Sequence, residues 1–303
     1  MADPFKVDFF IIGFPKCGTT SLATYLGQHP NVCFSDPKEP YYFTDIEYDK
    51  GIKSLTDYKN IFKKNGVKKK LGEGTVATIY SLKTLQRILD HNPNAKFIIC
   101  LRNPLEIVQS MHSHLLKNLE EDIEDLEQAW DAQDERKTGK RMPLRIRASY
   151  TLQYAEIAKQ GKYIEQLFSL VNPKNCHLIF FEELQKKPRL CYLNTLHFLE
   201  LDDDGLNTFN VKNENRSFKA GMLGSLGKIF LAFIRHPRWI HWRNKFLVSN
   251  FHIEDIIRFL CQESRKRASI NQSLQEKIIS TFEDDIKLLE SITKKNLAHW
   301  RQL

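Results

Sequence analysis

The segment Gly13-Phe14-Pro15-Lys16-Cys17-Gly18-Thr19-Thr20 joins two glycines, a lysine and consecutive hydroxyl residues, continued by Ser21. At the start of a helix such a loop turns unpaired backbone N–H groups toward an anion. Gly18 allows close backbone approach, Lys16 adds a point charge, and Thr19, Thr20 and Ser21 add hydroxyl donors. The spacing is close to the nucleotide loop G-x-x-x-x-G-K-[ST]. Here, however, Thr19 fills the lysine slot and the lysine sits at position 16, inside the loop. A second cation, Arg102, closes the apolar run at 96–101, with Ser110 eight residues further on. An arginine there can grip a phosphate through two parallel N–H bonds. No aspartate ends that run to hold magnesium. These residues predict phosphate chemistry without the machinery of an ordinary magnesium-dependent ATPase or kinase.

Such residues need elements that bring their loops together. Residues 7–12, 31–35, 96–101 and 176–181 read as short strands. Helices are expected over 19–28, 54–64, 80–91, from Pro104 through 116, and over 188–199. Residues 119–168 read as mostly helical with a break near 138–143, residues 202–221 as polar loop, and 222–303 as helices broken near His236-Pro237. Strands alternating with helices imply an α/β, P-loop-like three-layer fold. It would have a central, mainly parallel sheet, helices on both faces and a helical C-terminal region. In such sheets ligands lie beyond the carboxyl ends of the strands, which singles out loops 13–18, 36–45 and 102–110. With 303 residues, 42% of them hydrophobic, the chain fits one domain spanning 1–303.

The loop PKCGTTSL after an apolar strand resembles the 5′-phosphosulfate loop of sulfotransferases that use 3′-phosphoadenosine-5′-phosphosulfate (PAPS). KFIICLRNPLEIVQSMHSHL resembles that family's 3′-phosphate motif. Weaker similarities to bacterial and glycan-type sulfotransferases lie in KEPYYF at 38–43, LGEGT at 71–75, IFFEEL at 179–184, NRSFKAG at 215–221 and LAHW at 297–300. The resemblance implies sulfuryl transfer from PAPS to a hydroxyl or amine, with release of adenosine 3′,5′-bisphosphate (PAP). It assigns Lys16 to the leaving phosphate and the loop Pro15, Lys16, Cys17, Gly18, Thr19, Thr20 and Ser21 to the phosphosulfate. Arg102 and Ser110 go to the 3′-phosphate. Glu39, in the K-E-x-x-x-F segment, is the implied base, and Glu73, in the loop Gly72–Thr75, is the second candidate. Phe181 aligns with an aromatic residue bordering the nucleotide. Arg216, Lys219 and Gly221 align with a basic loop that closes the 3′-phosphate site.

The charge balance is +8, from 45 Lys and Arg against 37 Asp and Glu, which suits an anionic ligand. Basic clusters at 63–70 and 136–147 are separated by an acidic block at 120–127, so no continuous nucleic-acid stripe forms. The six cysteines include no C-x-x-C pair, so neither a zinc site nor a thioredoxin motif is expected; no metal is expected at all. Cys17 is either a packing residue or a thiol activated by the lysine and helix start beside it. His112 and His114 are expected to pack or lie at the surface. No apolar run approaches membrane length and residues 1–6 lack a signal-peptide pattern, so a cytoplasmic enzyme is expected, acting on a soluble small molecule or oligosaccharide. A kinase-like nucleotide enzyme and a non-catalytic nucleotide-binding protein of the same fold are the competing expectations.

Overall fold

Residues 5–46, 51–62, 69–210, 216–218, 262–264 and 270–302 are described in a computed structural model of the chain. Strand β1 (Phe9–Gly13) is buried along its whole length. A strand with no polar face needs cover on both sides, as parallel sheets receive from helices. The sheet is completed by β2 (Val32–Phe34), β3 (Lys70–Glu73), β4 (Lys96–Leu101) and β5 (Cys176–Phe180). Its order is β2-β3-β1-β4-β5, and every neighbouring pair is parallel. The chain leaves β1 for the β2 edge, returns to β3, then crosses to the other side of β1 for β4. That reversal leaves a crevice at the carboxyl ends of β1 and β4, from which loop 13–18 and Arg102 depart.

Strand β3 departs from the sequence expectation, which leaves Glu73 in a loop. The segment KLGE has one large apolar residue, so no periodicity separates it from a loop. Packing decides its place. A Cβ on Gly72 would stand 2.2 Å from Cζ of the Phe9 ring, so only glycine lets that ring lie against β3. Phe9 is wholly excluded from solvent, and removing such a side chain costs about 3–5 kcal/mol.

The helices are α1 (Thr19–Leu26), α2 (Leu55–Asn60), α3 (Leu82–His91), α4 (Pro104–Asn118), α5 (Leu126–Asp131), α6 (Gln133–Lys137), α7 (Tyr154–Ile157), α8 (Gln160–Leu170), α9 (Phe181–Lys186), α10 (Pro188–Phe198) and α11 (Gln272–Thr293). Residues 119–168 are more broken than expected, with the short helices α5 to α8 and a 3-10 turn at Ser149–Leu152 among them. Strand β5 stops at Phe180, and Phe181 opens α9. Glu182 and Glu183 in the first turn of α9 favour a helix start there through the helix dipole. Helix α11 buries Leu274, Ile278, Phe282, Ile286 and Leu289, a stripe at helical spacing.

Two compact units are present. One comprises Met1–Met111, Arg147–Lys212 and Asn271–Leu303 and carries the parallel sheet. The other comprises His112–Ile146 and Asn213–Ile270. Within the second, β6 (Arg216–Phe218) pairs antiparallel with β7 (Gln262–Ser264). The sequence predicts polar loop and helix at those positions. Strands of three residues are too short for an alternating pattern to register.

Candidate active site

Loop 13–18 is shaped by three residues with positive φ, Gly13, Lys16 and Gly18. Gly18, the N-cap of α1, has φ 89°, and a Cβ there would come within 3.0 Å of Phe181 and Leu184, so glycine is required on both counts. No side chain caps α1 and its first turn holds no acidic residue. No acidic group of the helix's own first turn therefore offsets its positive end. Thr19 is buried in that turn, with Thr20 and Ser21 half-buried. Lys16 has φ 67°, a conformation that costs a non-glycine residue about 1–2 kcal/mol. Its carbonyl is held by Arg102, whose Nη1 donates to it at 2.8 Å.

Cys17 is wholly buried and its Sγ donates to the Pro15 carbonyl at 3.5 Å. Burial pushes the thiol well above its ordinary value, against the opposing charge of Arg102. Desolvation thus outweighs the lysine and the helix start, and Cys17 packs as a neutral thiol.

Arg102, one residue past β4, is 8% exposed. Its Nε donates to Glu106 at 2.7 Å, and its guanidinium carbon lies 4.2 Å from the centroid of the Phe181 ring. Gln160 bonds both backbone groups of the same residue. Glu106 and Ser110, four residues apart on α4, share one helical face, and Arg102 stands just before that helix begins. Ser110 is 5% exposed. Lys16, Gly18, Arg102 and Phe181 thus form one cluster, assembled from the ends of β1, β4 and β5.

Glu39 belongs to a second cluster. Lys38 Nζ donates to Glu39 Oε1 at 2.9 Å and to the Gly74 carbonyl at 3.3 Å. Tyr41 OH donates to Glu39 Oε2 at 2.8 Å, from a residue with φ 54°. About a third of the Glu39 side chain remains exposed. Glu73 differs in every respect. It is 1% exposed, Thr75 Oγ1 donates to its Oε1 at 2.6 Å, and Tyr58 OH donates to its Oε2. Burial raises its carboxyl to about 7, against the two hydroxyl bonds, with the nearby Glu39 charge adding to the rise. Tyr58 stacks on Tyr42, ring centroids 4.2 Å apart, so Glu73 ties α2 and the Glu39 loop to the end of β3.

Phe181 is not a strand-end core residue but the half-buried face on which Arg102 rests. Arg216 opens strand β6 instead of lying in a loop, and Lys219 and Gly221 lie outside the described residues. His112 is buried, with Nε2 2.9 Å from the Ile123 carbonyl, and burial lowers its pKa. Three contributors, Tyr41, Glu106 and Gln160, are not singled out by the sequence patterns, whereas Lys38 is the lysine of the K-E-x-x-x-F segment. Glu106 has a signal in its four-residue spacing from both Arg102 and Ser110, and Tyr41 lies within the KEPYYF segment. Gln160 has none, standing 58 residues from its partner. Among the described residues no helix is long and apolar enough to cross a membrane, and no group of three His, Cys, Asp or Glu is set to hold a metal.

A family model described as "Sulfotransferase domain" matches residues 6–275. The chain is similar to the crystal structure of a sulfotransferase from Alicyclobacillus acidocaldarius, with TM-score 0.70 and 20% identity over 98% of this chain and all of that one. It also resembles mouse sulfotransferase SULT7A1 complexed with PAP, with TM-score 0.51 and 14% identity over 94% and 86% of the two chains. At these identities the likeness is one of fold. Among curated proteins, a membrane-associated sulfotransferase of Dictyostelium discoideum, kil1, is 34% identical over 99 residues, 33% of this chain and 21% of that protein. Human carbohydrate sulfotransferase 15 is 51% identical over 49 residues, 16% of this chain and 8% of that protein. The matched stretches therefore cover about a fifth or less of these two relatives' lengths.

Proposed function

Because the chain belongs to the sulfotransferase domain family, we propose that it moves a sulfuryl group from PAPS to a hydroxyl or amine of a carbohydrate or small-molecule acceptor, releasing PAP. When bound, PAPS supplies an activated sulfuryl group attached to a phosphate. The residues present suit that donor at both of its charged ends. The uncapped start of α1, Gly18 and the Thr19–Ser21 hydroxyls suit the phosphosulfate. Arg102, braced by Glu106 and Phe181, suits the 3′-phosphate, with Ser110 one turn beyond Glu106 on α4. Lys16 holds positive charge in the loop where the leaving oxygen becomes negative.

Glu39 accepts the acceptor's proton. It is the more open of the two carboxylates, whereas both Glu73 oxygens already receive hydroxyl protons. A transferred group with less charge than a phosphoryl group fits a site without metal. The stretch similar to carbohydrate sulfotransferase 15 favours a carbohydrate acceptor. One domain across residues 1–303 and a cytoplasmic setting complete the proposal.

The observation that carries it is the bond from Arg102 to the Lys16 carbonyl, which brings the two motifs, 86 residues apart, into contact. The test is transfer from sulfur-labelled PAPS to a panel of sugars, hydroxylated small molecules and amines. Transfer by the wild type that disappears in Lys16→Ala supports the proposal. PAP binding with no transfer to any acceptor would favour a non-catalytic relative, and magnesium-dependent ATP turnover would favour a kinase-like enzyme.

A further inference from the structure

Arg102 is held by its backbone as well as by its side chain, and the holder comes from far along the chain. Strand β5 pairs with β4 up to Leu101 opposite Phe180, where β5 ends. The next backbone groups of β4 belong to Arg102, and one side chain takes both. Gln160, the wholly buried first residue of α8, accepts from the Arg102 N–H at 3.0 Å and donates Nε2 to the Arg102 carbonyl at 2.6 Å. Its carboxamide continues the ladder for one residue after the strand has turned into α9.

Gln160 is fixed in turn by α11. Asp285 accepts from the Gly161 N–H and the Lys162 N–H, each at 2.9 Å, and so caps α8 from another helix. The two helices meet without spare room there, since a Cβ on Gly161 would lie 2.3 Å from the Asp285 carbonyl oxygen. A line of short contacts thus runs from α11 through the start of α8 to the end of β4. Beyond the backbone, Glu106, the Lys16 carbonyl and the Phe181 ring fix the guanidinium. An arginine ordered before its ligand arrives loses less conformational freedom on binding.

We propose that Gln160 is a positioning residue for 3′-phosphate recognition, fixing the Arg102 backbone so that its guanidinium selects nucleotides bearing that phosphate, with Asp285 holding Gln160 in place. The proposal rests on the sulfotransferase reading above. The readout is selectivity for the 3′-phosphate, which a general loss of stability would leave alone. Titration calorimetry on the full chain would compare PAP with adenosine 5′-phosphate, which lacks that group. In Gln160→Met, similar in length but unable to make either bond, PAP should bind about tenfold more weakly while adenosine 5′-phosphate stays within about twofold. Asp285→Asn, altered on a different helix, should lower the same ratio by a smaller factor, and it serves if Gln160→Met does not fold. Equal weakening of both nucleotides, or unchanged PAP binding in the folded variants, would overturn the proposal. A wild-type chain that binds the two nucleotides equally would overturn the sulfotransferase reading itself, and this proposal with it.

Discussion

The two carboxylate and cation clusters of the site are built on opposite plans. Around Arg102 most bonds run from a side chain to backbone: Arg102 to the Lys16 carbonyl, Gln160 to both Arg102 groups, Asp285 to the start of α8. Around Glu39 and Glu73 the bonds run mainly between side chains: Lys38 and Tyr41 to Glu39, Tyr58 and Thr75 to Glu73. Backbone-directed bonds fix where a cation stands, which suits recognition of a constant nucleotide. Side-chain bonds between hydroxyls and carboxylates hold the carboxyl groups themselves, and at Glu73 they oppose the rise that burial imposes. The difference teaches that the Lys16–Arg102 cluster, the proposed nucleotide half, should fail through lost charge or position, and the carboxylate cluster, the proposed acceptor half, through lost side-chain partners.

The largest effects should come from the two residues proposed to carry the chemistry. Lys16→Ala should lower kcat about 10³-fold with PAP affinity, measured by calorimetry, changed far less. Glu39→Gln should lower kcat by a similar factor of about 10³ while PAP binding stays at the wild-type value. A Glu39 variant with near-normal turnover would break the assignment of the acceptor half.

Next is Glu73, whose effect is on stability. Its carboxyl is raised from 4.5 to about 7 in the folded chain, so the fold binds a proton that the unfolded chain releases. The stability it contributes is complete below about pH 4.5 and is lost as pH rises through about 7. The loss amounts to about 3 kcal/mol. Urea unfolding of wild type and Glu73→Gln should therefore diverge between pH 4 and pH 8, with the wild type falling more steeply. Parallel curves would show that Glu73 is already ionised in the fold.

The smallest effect sharpens the contrast. Tyr41 OH donates to Glu39 and so helps to hold that side chain in place. In Tyr41→Phe kcat should fall by less than about tenfold, with PAP affinity unchanged. A change in PAP affinity instead would tie Tyr41 to the nucleotide half.

The same division governs what was legible in the sequence. Loop 13–18, β1, β4 and the Arg102–Ser110 spacing are contiguous patterns, because glycine turns, buried strands and helix starts are written locally. Strand β3 was not legible, since KLGE owes its place to the Phe9 ring lying over Gly72. Nor was Gln160, because its partnership with Arg102 exists only once α8 is set against α11. Glu73 was readable as a candidate base, but its burial and two hydroxyl partners depend on Tyr58 arriving from α2. The short β6–β7 pair and the early end of β5 lie below the length at which periodicity informs.

The central claim is that Arg102 and the Lys16 loop form a site for a nucleotide carrying a 3′-phosphate. A ligand that binds only the folded chain raises its melting temperature, so thermal unfolding with PAP, ADP and Mg-ATP, on wild type and Arg102→Ala, tests it most directly. A rise with PAP alone, lost in Arg102→Ala, is the predicted result. A rise with Mg-ATP and none with PAP would contradict the account.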